Sequence, residues 1–162
     1  MSEPTAYVIG LRADPRTDVA EWYTLWFEDE LGRNTVLTRD DRVLWGLSPE
    51  RIAAFGEGRG LANREELPTV CDAAAALYAV TSGDDGQEDI VLDTLNLLDD
   101  MLVTLGQRAA LPDVVVLDRM VKALTEGERL RSVVASAGGA EAVTNPIFGS
   151  LGRLFAFSTF IV

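Results

Sequence analysis

The hydrophobic pattern of the chain changes its period near residue 48, and this change constrains the fold more than any other feature of the sequence. Before it, short runs of β-branched and aromatic residues are separated by turn signals, a pattern typical of strands. After it, apolar residues recur at intervals of three and four, which indicates amphipathic helices. Strands followed by helices predict an α+β fold, with a small N-terminal antiparallel sheet and about four or five helices packed on one face of it.

The strand signals lie in three places. Thr5–Leu11 predicts one strand, and Thr35–Leu47 predicts two short strands around a polar turn. Residues 18–31 between them allow two interpretations. Asp18 with Glu21 three residues later fits a helical capping box, whereas the aromatic-rich run Trp22–Glu28 suits a strand, which is the interpretation that we favour.

The helix signals begin at Ser48, which suits an N-cap because Pro49 follows at the first helical position. The later apolar periods predict five further helices: Thr69–Thr81, a segment from Val91 to Leu105, one starting at Pro112, one from Leu130 to Ala137, and a last one starting at Asn145-Pro146. The final residues, 157–162, allow either helix or strand.

Length and cysteine usage give the wider setting. The 162 residues contain no long linker, so we expect a single domain over 1–162, mainly strands in 1–47 and mainly helices in 48–162. One cysteine, Cys71, excludes an internal disulfide and fits a reducing compartment. Together with an N-terminus unlike a signal peptide, this predicts a cytoplasmic protein. We expect Cys71 to be a buried structural thiol in the first turn of a helix.

The distribution of charge is more informative than the net charge of −12. Residues 65–107 hold ten of the 26 acidic residues and none of the 14 basic residues, so the rest of the chain has 16 acids against 14 bases. This field disfavours direct binding to nucleic acid and to anionic membranes. It favours a basic protein partner or a cation.

Histidine is absent from the sequence. The commonest general base, the usual partner of a nucleophilic serine or cysteine, and the commonest zinc ligand are therefore missing. We expect no enzymatic activity, no catalytic residues, no metal site and no cofactor. Catalysis by Asp, Glu, Lys or Tyr stays open as an alternative.

The acidic residues are densest in residues 82–101, where seven carboxylates occur without a basic residue. An EF-hand loop requires glycine at its sixth position and glutamate at its twelfth, and this stretch has neither. A different cation site using Asp84, Asp85 and Glu88 stays open. A di-metal bundle motif fails, because a helical wheel directs Asp93 and Asp100 away from the apolar stripe.

Ordinary local roles explain part of this acidic stretch. Asp84 and Asp85 suit a turn, and Glu88 and Asp89 suit the start of a helix. The missing cations are not explained, because a solvated helix gains from mixed charges at i,i+4 spacing. The alternatives are a solvated face and a surface that binds a partner. The candidate partner-binding residues are Asp84, Asp85, Glu88, Asp89, Asp93, Asp99 and Asp100.

Two segments resemble those of another class of protein. NTVLTRDDRVLWGLSPERIAAF and the later LDTLNLLDDMLVTLG, within Asn34–Gly106, look like small immunity proteins of bacterial toxin systems, including contact-dependent inhibition. Several of those have a strand, turn and strand followed by an SPEE-like helix start, and some have an N-L-L-D-type helix like that of residues 96–99. The resemblance implies a non-enzymatic cytoplasmic inhibitor that occludes the active site of a cognate toxin.

Such toxins are often nucleases with basic clefts, so this resemblance and the charge pattern imply the same kind of partner. Two alternatives remain from other classes of protein. One is a cation-binding or hydrolytic domain that uses Asp and Glu chemistry. The other is a structural or adaptor subunit that oligomerises through its apolar C-terminus, Phe155–Val162.

Overall fold

A computed structural model describes residues 5–63, 68–111 and 114–161, and it confirms the α+β class. The strands are β1 (Thr5–Arg12), β2 (Trp22–Glu28), β3 (Asn34–Val36), β4 (Thr38–Arg39), β5 (Arg42–Trp45), β6 (Ala62–Asn63), β7 (Thr69–Asp72) and β8 (Ser158–Phe160). The helices are α1 (Pro49–Glu57), α2 (Ala73–Ser82), α3 (Glu88–Thr104), α4 (Val114–Thr125), α5 (Leu130–Ser136) and α6 (Ala140–Ala156), with a short 3₁₀ helix at Arg108–Ala110.

The main sheet is mixed, whereas the sequence predicted an antiparallel one. Its N-terminal part is antiparallel as expected, with β1 paired to β2 and β2 paired to β3. β6 and β7 then pair parallel to β1 on its other side. The parallel strands follow α1 in the chain, and that helix makes the crossover a parallel connection requires.

A second, smaller sheet brings the C-terminus into the fold. β4 and β5 form a hairpin, and β8 pairs parallel to β5. Asp40 and Asp41 make the hairpin turn with φ angles of 52° and 62°, the left-handed conformation that a tight two-residue turn requires. The tail that allowed either helix or strand is thus a strand, and Ile161 continues it with a backbone hydrogen bond to Trp45.

Helices cover both faces of the main sheet, whereas we expected them on one face. Alternation along β1 and β2 directs one set of side chains toward α1 and the other toward the later helices. Leu25 of β2 packs in a cluster with Ile52 of α1, while Ile9 of β1 belongs to the larger core formed with α2–α6. The sheet is covered by helices on both sides because its side chains are apolar on both faces.

The helical layer is built around α3. The buried residues of α3 are Val91, Thr94, Leu95, Leu98, Met101 and Leu102, whereas Leu105, the end of the predicted segment, is its half-buried C-cap. α2 and α3 form a helical hairpin, whose first helix is closed by Gly83 at φ 65°. This packing fixes α3 against the sheet, with its outer side left to solvent.

Two predicted helix boundaries were wrong. Thr69–Asp72 is strand β7, because pairing with β1 outweighs the local helical spacing, and α2 starts only at Ala73. Cys71 therefore lies in a strand and not in the first turn of a helix. The last helix starts at Ala140 and contains Pro146 in its interior, so this proline does not begin it. The predicted start at Pro112 lies outside the described residues.

Candidate functional site

Two of the predicted partner-binding acids are used inside the fold, in the turn between α2 and α3. One carboxylate oxygen of Asp85 accepts a 3.0 Å hydrogen bond from the backbone N–H of Arg131, near the start of α5. Glu88 accepts hydrogen bonds from the backbone N–H of Gly86 and from the guanidinium of Arg129. Hydrogen bonds from backbone amides lower the pKa of Glu88, and Arg129 lowers it further. These acids attach the α2–α3 turn to α5.

A third acid, Asp99, also has an internal partner. The guanidinium of Arg108 donates to Asp99 and to Asp118 of α4, so one cation lies between two carboxylates. Both carboxylates raise the pKa of Arg108. Residues 65–107 lack cations in the sequence, but the fold brings four arginines to their acids from outside that segment: Arg12, Arg108, Arg129 and Arg131.

The remaining acids of α3 follow one side of the helix. Asp89, Asp93, Asn96 and Asp100 have spacings of four, three and four residues, so they lie within one narrow arc at 100° per residue. We call these four residues the acidic stripe. The first three are exposed, and Asp100 is half-buried. Asp84, in the preceding turn, is exposed as well.

Asp100 differs from the outward-directed carboxylate that the wheel predicted. Its Oδ2 atom accepts a 3.0 Å hydrogen bond from the indole N–H of Trp26 in β2. Burial raises the pKa of Asp100, and the nearby Asp99 adds to this, while the bond from Trp26 acts in the opposite direction. Asp100 is therefore the acid of the stripe that is held against the sheet.

A groove lies where the acidic stripe meets the sheet. Its cavity volume is about 400 Å³. The walls come from three strands and one helix, and the lining residues are Tyr7, Ile9, Trp26, Thr69, Val70, Cys71, Asp93, Asn96, Leu97 and Asp100. Aromatic and aliphatic side chains thus face polar ends from α3, and no basic residue is among these described lining residues. A cavity of this size and mixed character is typical of a ligand or side-chain pocket.

Two adjacent aromatic rings contribute to the groove. Tyr7 and Trp26 are directly opposite each other in the β1–β2 pair, and their ring centroids are 5.9 Å apart. The exposed side chain of Val70 lies on the β7 side. These residues were not predicted as site residues. Trp26 is half-buried and lies beside Asp100 of the acidic stripe.

Cys71 contributes to the groove but is unsuited to nucleophilic chemistry. It is 4% exposed, and burial raises the pKa of its thiol to about 12. A thiol of this kind carries almost no thiolate near neutral pH. The expectation of a buried structural thiol is confirmed.

The described residues give no support to two other kinds of site. They contain no group of three or more Cys, Asp or Glu side chains arranged to hold a metal ion. Two of the three acids considered as cation ligands, Asp85 and Glu88, are bound to other parts of the fold. No helix in the described part of the chain has the length and apolar character to cross a membrane.

Comparisons with known proteins show a shared fold and no family. No family model matches the chain, and no curated protein matches it. The chain is similar to the solved C-terminal domain of SatS, whose crystal structure is a complex with bromine. The identity is 15%, the TM-score is 0.60, and the match covers 96% of this chain and 94% of that one. This likeness shows the fold alone.

Proposed function

We propose that this protein is an immunity-type inhibitor, which binds a basic surface of a cognate bacterial toxin and blocks its active site without catalysing a reaction. The proposal places it in the cytoplasm, where the toxin acts. The observation that carries it is the acidic stripe, because two of its three carboxylates, those of Asp89 and Asp93, are exposed and form no ion pair in the described residues. The resemblance of Asn34–Gly106 to immunity proteins supports the same class.

The two exposed carboxylates of the stripe repel each other in the isolated chain. Asp89 and Asp93 are four residues apart on one helix, where two like charges cost a few tenths of a kcal/mol. Neither forms an ion pair in the part of the chain that the structure describes. Positive charges on a basic partner would attract both carboxylates and offset their mutual repulsion. A charged patch of one sign also raises the rate of association with an oppositely charged surface.

A nuclease is the kind of toxin that fits best. Its nucleic-acid cleft is basic because it neutralises phosphates, so an acidic protein can occupy it in place of the substrate. The same field keeps the inhibitor itself away from nucleic acid and from anionic membranes. In the C-terminal segment that the adaptor alternative would use, β8 pairs with β5 and is half-buried, while Phe155 is exposed.

Co-expression in bacteria tests the proposal, using the candidate toxin encoded beside this chain. Cells producing the toxin should die, and cells producing both proteins should grow. Replacing Asp84, Asp89 and Asp93 with Asn should remove protection, because it removes three exposed charges on and beside the stripe. Replacing the exposed Glu30, Glu57 and Glu126 with Gln changes the net charge equally and should leave protection intact.

Two results would contradict the proposal. The neighbouring gene product could be harmless alone, or the wild-type chain could fail to protect although it is folded and abundant. If both triple variants protect fully, the chain still qualifies as an inhibitor but the acidic stripe does not make the interface.

A further inference from the structure

The groove between α3 and the sheet has a more specific chemistry than the acidic surface around it. We propose that it receives an arginine side chain presented by the partner, with the guanidinium group beside Asp100 and the aromatic rings, and the methylene stem along the aliphatic wall. This inference rests on the proposed function for the identity of the partner, but the groove can be tested without that partner.

The composition of the groove matches a long cationic side chain. Arginine combines an apolar stem with a charged head, and such side chains bury the stem along apolar surface. Ile9, Leu97 and Val70 supply apolar surface, and the carboxylates of Asp93 and Asp100 supply the opposite charge. A purely apolar ligand would leave both carboxylates without an opposite charge.

The aromatic residues favour arginine over lysine. A planar guanidinium stacks on aromatic rings and is less strongly hydrated than an ammonium group. Tyr7 and Trp26 contribute adjacent rings. The chain already shows this kind of contact elsewhere, since the guanidinium of Arg59 lies 4.8 Å from the ring centroid of Phe55.

The hydrogen bond from Trp26 prepares Asp100 for this role. It holds Oδ2 in place, while Oδ1 has no hydrogen-bond partner in the described residues. Asp100 is half-buried and next to Asp99, so a cation beside it would relieve an unfavourable environment for its charge. Asp93 lies seven residues earlier, about 10 Å along the helix axis, and would attract the side chain toward the groove.

The test uses two short peptides and nuclear magnetic resonance of the full chain. Acetyl-Ala-Arg-Ala-amide is the probe, and acetyl-Ala-citrulline-Ala-amide is its uncharged match. The arginine peptide should shift the indole N–H signal of Trp26 in a saturable manner, while the signal of Trp45, which is bonded to Ser158 in the core, stays in place. The citrulline peptide should cause no saturable shift.

Two double variants with the same change in charge separate the groove from the general acidic surface. Asp93→Asn with Asp100→Asn should weaken binding of the arginine peptide by roughly tenfold or more, equal to about 1.4 kcal/mol. Asparagine at 100 keeps an acceptor for Trp26, so its indole signal reports whether the fold is retained. Asp84→Asn with Asp89→Asn should weaken binding by less than about threefold, because both residues lie outside the groove.

The inference is wrong if the wild-type chain gives no saturable shift, if citrulline binds equally well, or if the two double variants weaken binding equally. Its failure differs from failure of the proposed function. A chain that protects cells but ignores the peptide loses the groove assignment alone. A chain that binds the peptide but gives no protection loses the inhibitor assignment alone.

Discussion

Removal of the Asp72 carboxylate should destabilise the fold by about 2–3 kcal/mol, although this residue is only one of many acids in the chain. One of its oxygens, Oδ1, caps α2 by accepting a 2.9 Å hydrogen bond from the backbone N–H of Ala75. The same oxygen accepts a 2.8 Å bond from Arg12, whose side chain is 15% exposed. Asp72 thus joins the first strand to the start of the helical layer.

The magnitude follows from these two contacts. Loss of an N-cap costs about 1 kcal/mol, and loss of a hydrogen bond to a charged group costs about 1.5–3 kcal/mol. The second value belongs at its lower end, because Arg12 also donates to the carbonyls of Thr17 and Pro15. Asp72→Asn keeps the cap and loses only the charge, so we expect it to cost about 1 kcal/mol.

Urea unfolding followed by circular dichroism measures both substitutions. Asp84→Ala is the control, since this exposed side chain has no hydrogen bond in the described residues and should change stability by less than about 0.5 kcal/mol. A change within that range for Asp72→Ala would contradict a stabilising role for the two contacts. Equal losses of stability in the alanine and asparagine variants would contradict a separate contribution from the cap.

Three further predictions test other parts of the structure. In thermal unfolding, Gly56→Ala should destabilise the fold by about 1–3 kcal/mol, because the new Cβ would lie 2.2 Å from Leu25 Cδ1. Gly149→Ala should stabilise the fold by up to about 1 kcal/mol, because nothing lies within 4 Å of its Cβ. Shifts of the same sign in the two variants would contradict this. Cys71 should react with a disulfide reagent at pH 8 only on unfolding, because burial raises its thiol pKa to about 12, and rapid labelling of the native chain would contradict the buried thiol. Burial raises the pKa of Asp100 above its ordinary value of 3.8, so the stability that Asp100 contributes is greatest below pH 3.8 and is lost as the pH rises through the raised pKa. The Asp100→Asn variant should therefore gain stability relative to the wild type between about pH 3 and pH 7. A difference in unfolding free energy that stays constant over this range would contradict the prediction.

The features that were predicted correctly from the sequence depend on neighbouring residues. The strand Trp22–Glu28 follows from aromatic density, and the start of α1 follows from the Ser48 cap, whose hydroxyl accepts a hydrogen bond from the N–H of Arg51. The helical alternative for residues 18–31 failed because Glu21 binds the backbone N–H groups of Ala13 and Asp14 and caps no helix.

The features that were missed depend on distant residues. β7 is a strand because β1, about 60 positions earlier, pairs with it. The internal contacts of Asp85 and Glu88 were not predicted, because Arg131 and Arg129 reach them from more than 40 positions away. The groove was not predicted because its walls come from strands and a helix far apart in the sequence. Local sequence patterns do not predict contacts between residues that are distant in the sequence.

Stoichiometric inhibition of the purified toxin measures whether the acidic stripe binds and inhibits a basic toxin, as we propose. The activity of the toxin encoded beside this chain should fall to background as the wild-type protein is added to an equimolar amount. The Asp84→Asn, Asp89→Asn and Asp93→Asn triple variant should require at least roughly tenfold more protein. Undiminished toxin activity at molar excess of the folded wild-type chain would contradict the proposed inhibition. Equal inhibition by the triple variant would show that the acidic stripe does not form the interface.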